Sequence, residues 1–268
     1  MDSATVNDLG VIDITLIQLI LAYVFVVILI ILVKKQNISR EKQIILATTR
    51  MTIQLVLVGY VLDFIFDNPH PLATVAIFLI MEGFAVHNII GRMSASPGSA
   101  MKKVIGISMF AGTVSSLVFF LVAVIGLEPW YYPRYFIPIA GMLVGNSMTG
   151  ISLGAEHLVS RIQEEPERVE QALMLGASPE TATRKISNQS FYNAILPTIN
   201  SMIGMGIIFL PGMMTGQILS GVSPLVAIRY QIAIMLGIMG SVTLTVFILV
   251  KLGVKTFFNR RKQLKIKN

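Results

Sequence analysis

Apolar residues gather in seven long runs, at about residues 11–33, 44–66, 71–90, 104–127, 135–160, 195–219 and 224–251. As a helix, each can cross about 30 Å of hydrocarbon. The pattern predicts an all-α membrane protein with about seven transmembrane helices. Met1-Asp2-Ser3 lacks the basic flank of a signal peptide, and the first run is too long for its apolar core. That run therefore reads as a first transmembrane helix. No internal repeat or low-complexity segment is legible, so the inverted repeats of many secondary transporters are missing.

The polar residues between the runs set a direction. Of the 21 Lys and Arg residues, 18 fall in the first, third and fifth connectors and the C-terminal end, for example Lys34, Lys35, Lys102, Lys103, Arg161, Arg168, Arg260 and Lys267. The N-terminus and the alternate connectors hold Arg134 and the acids Asp2, Asp8, Asp13, Asp63, Asp67 and Glu128. Basic residues stay on the cytoplasmic side, which places the N-terminus outside and the C-terminus inside. An aromatic cluster at Trp130, Tyr131, Tyr132, Tyr135 and Phe136 suits an interface on the outer side.

Composition narrows the class. The 268 residues are 54% hydrophobic and 13% charged, with a mean hydropathy of +0.75. Such a chain is expected to form one transmembrane domain over 1–268, with no room for a fused ATPase or receptor domain. The net charge of +7 is accounted for by topology, so no nucleic-acid partner is expected. Cysteine is absent, which removes disulfides and thiolate metal sites.

The fifth connector, about 161–194 with its flanks, reads as helix, turn, helix. Pro166 suits a first helical turn and Gly176 a helix end, while Ser178 and Pro179 suit an N-cap and first position. Val169, Ala172 and Leu173 share one face. The segment is either a helix lying at the membrane surface or a docking element for a cytoplasmic partner.

Glu170-Gln171-Ala172-Leu173-Met174-Leu175-Gly176-Ala177 resembles the E-A-A-x-x-x-G coupling motif of ABC transporter permeases, with Gln171 in place of the first Ala. Ile186 follows Gly176 at the motif's spacing, without its Leu-Pro. The run from Leu210-Pro211-Gly212 through Thr215-Gly216-Gln217 to Tyr230-Gln231-Ile232 resembles the FetB type of permease. So do Arg50-Met51-Thr52-Ile53-Gln54-Leu55 and Gly145-Asn146-Ser147-Met148. The resemblance covers nearly the whole chain.

It implies the multi-pass permease subunit of an ABC transporter in the cell membrane that exports iron, driven by a separate FetA-type ATPase. It also implies a homodimer with two ATPases. This chain itself would bind no cofactor, ATP and Mg being held by the partner, and would not be an enzyme. Plant relatives in the same family, linked to aluminium tolerance and in one case to nucleotide-sugar transport, leave another metal or such a solute as the alternative. No G-x-x-x-x-G-K-[ST] phosphate loop occurs in these residues, in keeping with an ATPase on another polypeptide. Val169, Glu170, Ala172, Leu173, Gly176 and Ala177 are the expected coupling residues.

Polar groups inside spans are costly and often functional. Glu82 lies about 16 Å into the third run, near the midplane, and is the candidate metal or proton ligand. Asn146 and Ser147 lie at similar depth. Met202, Met205 and Met213, with Gln217, would share one face of the sixth run if that helix were continuous, and Pro211-Gly212 suggests a break in it. Together these form the candidate pathway. Arg50, Gln54, His87, Glu156 and His157 form a candidate inner polar cluster. For each, the alternative is packing or hydrogen bonding between helices.

Other classes fit less well. A retinal protein needs a Lys midway along its last span, where only Lys251 occurs, at the cytoplasmic end. No H-E-x-x-H supports an intramembrane metalloprotease. A secondary transporter would have no use for the coupling motif.

Overall fold

The computed structural model describes residues 14–93 and 97–265. Asp2, Asp8, Asp13 and Lys267, which enter the charge pattern, lie outside these residues, as do Met1-Asp2-Ser3 and the first residues of the first run. Among the described residues every regular element is a helix. Six helical stretches are long and apolar enough to cross a membrane: Leu16–Lys35, Glu41–Asp67, Pro71–Arg92, Ser99–Ile125, Pro133–Glu164 and Pro224–Thr256. Helices are the expected solution for so apolar a chain, because lipid offers the backbone no hydrogen-bond partners.

The sixth run, 195–219, is not one helix. Its first part belongs to a helix that starts earlier and ends at Gly204. Residues 205–211 are irregular, and a short helix begins at Gly212. Two local features break it. Gly206 adopts a left-handed φ of +85°, which side chains disfavour, and its N–H donates to the Phe209 carbonyl at 2.9 Å. Pro211 then has no N–H to continue a helix. The break thus opens at Met205, ahead of Pro211-Gly212, so the expected methionine face does not run through Met205 to Met213.

The chain divides into two compact units. The first comprises residues up to 68 and 212–228. In it α1 (Leu16–Ala22) starts at a capping box, in which Thr15 Oγ1 accepts from the Gln18 N–H and Gln18 Oε1 accepts from the Thr15 N–H. After one irregular residue, Tyr23, α2 (Val24–Lys35) completes the first span. The Tyr23 hydroxyl hydrogen-bonds Thr52 on α3 (Glu41–Asp67), which fixes the first span against the second. The later short helix noted above also lies in this unit; it ends at Gly221, with φ +85° and paired bonds back to Ile218 and Gln217.

The second unit holds α4 (Pro71–Arg92), α5 (Ser99–Phe119) with a π-helical turn at Phe120–Ile125, α6 (Pro133–Glu164), α7 (Pro166–Met174), α8 (Pro179–Ala182) and α9 (Arg184–Gly204). The helix at Gly212–Leu219 is α10, and α11 (Pro224–Thr256) enters the second unit from Arg229 onward. Helix α6 is central, touching α4, α5 and α9. Ile151, Ala155 and Leu158 on α6 are fully buried, as are Val242, Val246 and Leu249 on α11.

Small residues set the helix spacing. A Cβ at Gly112 on α5 would come within 2.3 Å of the Thr245 methyl and 2.8 Å of its Cα. One at Gly150 would meet Val242 at 2.8 Å, and one at Gly154 would meet Ala194 on α9 at 3.2 Å. The α6 glycines thus serve different ends: Gly150 and Gly154 let α11 and α9 close in, while a Cβ at Gly145 would meet nothing within 4 Å.

These distances predict opposite outcomes for one substitution at two sites. Gly112→Ala should lower unfolding stability in detergent by about 1–3 kcal/mol through overpacking. Gly145→Ala should leave it unchanged or raise it by up to about 1 kcal/mol through helix propensity. Chemical unfolding followed by circular dichroism measures both.

Candidate functional site

Glu82 sits 4% exposed on α4. Its Oε1 accepts a hydrogen bond from Thr113 Oγ1 on α5, and its Oε2 is buried without a partner. Thr113 neighbours Gly112, so the close approach of α5 to α11 also sets the wall beside this acid. An orphaned carboxyl oxygen in an apolar interior is costly. Among the described residues no three His, Asp or Glu side chains gather into a metal-binding group, at Glu82 or elsewhere.

The other midplane candidates make contacts of their own. Ser147 is fully buried and hydrogen-bonds Ser241 on α11 at 2.9 Å. Its neighbour Asn146 is exposed and donates to the Met142 carbonyl on its own helix at 2.8 Å. Met205, at the break after α9, receives the Gln231 side-chain amide on its sulfur at 3.8 Å, while Met202 lies on the exposed side of α9. Pro211 is half-buried. Gly212, Met213 and Gln217 belong to the other unit; there Gly212 is exposed, Met213 half-buried, and the Gln217 side-chain carbonyl is buried without a partner.

The inner polar residues stand on three helices, α3, α4 and α6. Arg50 and Gln54 are exposed on α3. His87 is exposed on α4, and Glu156 is half-buried on α6. His157 makes a defined contact, its Nδ1 lying 2.8 Å from Ser190 Oγ on α9. The same Ser190 hydroxyl also lies 2.8 Å from the Ile186 carbonyl one turn earlier on α9.

The hairpin between α6 and α9 is built by local rules. Pro166 opens α7. At its end the Gly176 N–H bonds the Leu173 carbonyl and the Ala177 N–H bonds the Ala172 carbonyl, with Gly176 at φ +86°. This paired closure needs a left-handed residue, which is why glycine stands there. Ser178 Oγ accepts from the Thr181 N–H at 3.2 Å and caps α8, with Pro179 at the first position. The base of the hairpin is held by charge: Arg161 reaches Glu164 at 2.9 Å and Glu165 at 2.6 Å, and Arg168 reaches Glu165 at 2.9 Å. The hydrogen bond from Arg168, together with the nearby charge of Arg161, holds the Glu165 carboxyl below the usual carboxylate range.

Of the expected coupling residues, Val169 is 0% exposed and turned into the chain, so its role is to seat α7. Glu170, Ala172, Leu173 and Ala177 are half-buried, and Gly176 is exposed at the turn. The outermost residues are two that the periodicity passed over, Met174 and Leu175, at 83% and 89% exposure. They follow the Val169–Ala172–Leu173 face directly, Met174 as the last residue of α7 and Leu175 as its C-cap. Thr113 and Ser241 were missed as well, their only signal being a hydroxyl inside an apolar span, and Gln231 entered only through the Tyr230-Gln231-Ile232 resemblance.

Comparison with known proteins gives a consistent result. A family model described as "Uncharacterised protein family (UPF0014)" matches residues 16–258. A UPF0014 membrane protein of Synechocystis is 36% identical over 236 residues, 87% of this chain and 90% of the relative. The Arabidopsis thaliana protein ALUMINUM SENSITIVE 3 is 37% identical over 91% of this chain and 87% of its own length. The Escherichia coli protein named probable iron export permease FetB is 32% identical over 94% of this chain and 95% of its own length. No solved structure matches.

The Glu82–Thr113 contact has a direct test. Thr113→Val removes the one donor to a buried carboxyl and should cost about 1–3 kcal/mol of stability, while Thr113→Ser should retain it. Thermal unfolding of the purified protein in detergent measures the difference.

Proposed function

The chain belongs to the UPF0014 family of multi-pass membrane proteins, and on that premise we propose that it is the permease subunit of an ATP-driven iron exporter powered by a separate ATPase chain. The α7–α8 hairpin carries this reading. It is a rigidly capped, ion-paired element between two long helices that ends in two exposed apolar side chains, Met174 and Leu175. Isolated apolar tips of this kind suit insertion into a groove on a partner. The near full-length likeness to the relative named FetB supports iron as cargo and a permease as the role.

In this reading the basic connectors face the cytoplasm, which puts the hairpin where an ATPase can reach it. ATP and Mg bind to that partner, and this chain performs no chemistry on them. Closure of two ATPases displaces two hairpins, one from each copy of a permease dimer. Because α7 continues from α6 and α8 leads into α9, the push passes directly into those two helices. Glu82 is the candidate contact for the cation. A carboxylate is a hard ligand suited to iron, and its unpartnered Oε2 is the free ligand atom. Burial under Thr113 means that cargo reaches it only when α4 and α5 part.

Two measurements check the proposal. Met174→Glu with Leu175→Glu should lower co-purification of the ATPase from a co-expressing cell by about 5- to 30-fold, as loss of one apolar anchor of 1–2 kcal/mol implies. Folding, judged by gel filtration, should be unchanged. Undiminished association would remove the hairpin from coupling. Inside-out vesicles holding both chains should accumulate labelled iron only with ATP, and Glu82→Ala should abolish the uptake. ATP-dependent uptake of aluminium or a nucleotide sugar in its place would reassign the cargo.

A further inference from the structure

A second site lies away from both the hairpin and Glu82. Between α5 with its π-helical turn and the membrane-spanning part of α11 runs an open groove of about 660 Å³. Its floor is made by missing side chains: Ala233, Gly237 and Gly240 lie along one face of α11. A Cβ at Gly237 would come within 2.8 Å of the Phe120 ring, so that glycine lets the π-helical turn settle against α11. A Cβ at Gly240 would meet nothing within 4 Å, so there the groove is empty. Phe119, Ile232 and Leu236 form exposed apolar walls.

The groove has one charged end. Arg229 stands on the same face of α11, exposed, with no ion pair or hydrogen bond among the described residues. It lies five residues into the helix from Pro224, or about 7 Å, a depth from which a guanidinium reaches the headgroup layer. From Arg229 to Leu244 at the far end, the helix rises about 22 Å. Half a bilayer, headgroups included, is about 20–22 Å thick. The groove is thus as long as one lipid molecule in one leaflet, cationic where the phosphate lies and apolar where the chain lies.

We propose that this groove is a binding site for a bilayer phospholipid, with one acyl chain laid over Gly237 and Gly240 and the phosphate held by Arg229. Charge order and length favour this occupant over a helix from a second copy, which would bring a uniformly apolar face and leave Arg229 unanswered. A bare cation does not fit, since the only charge lining the groove is itself positive. The bound lipid would seal α5 against α11 on the side that the π-helical turn leaves open. It would therefore be retained when bulk lipid is exchanged for detergent.

The test uses the full-length chain in phosphatidylcholine vesicles doped with a phospholipid bearing a photoactivatable diazirine at mid-chain. After irradiation, the label should map to peptides containing residues 115–124 and 229–244. Gly240→Leu, whose Cβ would meet nothing within 4 Å, fills the groove and should cut that labelling about tenfold. Arg229→Gln should lower retention of phospholipid through detergent, read by native mass spectrometry, by a similar factor. It should not change retention of a glycolipid that lacks phosphate. Unchanged labelling in Gly240→Leu would overturn the proposal. So would a groove that stays unlabelled while Leu236→Cys forms disulfide-linked dimers, which would assign it to a second copy. The native chain has no cysteine, so that crosslink reports one position only.

Discussion

The second unit depends on how closely α11 can approach α5 and α6. At Gly112 the gap is so narrow that a single methyl would collide with both the side chain and the backbone of Thr245. In lipid, apolar surface alone gives helices little reason to associate, so close packing and interhelical hydrogen bonds must supply the cohesion. Both occur along this seam. Glycines bring backbones together at Gly112 and Gly150, and Ser147 with Ser241 adds a buried polar bond where contact is already tight. Thr113 is held against Glu82 by the same approach, since it follows Gly112 on α5.

The sequence reading succeeded where the rules are local and failed where they are tertiary. Proline at a first turn, glycine at a left-handed closure and serine at an N-cap are decided within four residues, and the α7–α8 hairpin formed as its caps predict. The sixth run was misjudged because hydropathy averages over a window, whereas a backbone reversal at Gly206 needs one residue. The polar first half of α9, from Arg184 to Asn193, also leaves too short an apolar length for that helix to cross alone.

The site was legible in part. Glu82 stood out because an acid near the centre of a span is rare. Its partner did not, because nothing in the spacing says that α4 faces α5 at Thr113. Which side of α7 is buried also lay beyond the periodicity. Val169, Ala172 and Leu173 define an apolar face, of which the fold buries Val169 fully and Ala172 and Leu173 by half, leaving Met174 and Leu175 exposed. In the proposed mechanism that difference matters: the face named from sequence anchors the hairpin to its own helices, while the next two residues meet the ATPase. In the same proposal this division of labour lets the hairpin push on α6 and α9 together.

The central claim, that the hairpin tip is where a separate ATPase takes hold, can be tested by placing a photocrosslinking amino acid at one position at a time in the full-length chain, co-expressed with the ATPase. The account predicts a covalent adduct of permease and ATPase from position 175 and none from position 169, which is buried. An assembled complex that yields no adduct from position 175, or yields one from position 169, would contradict it.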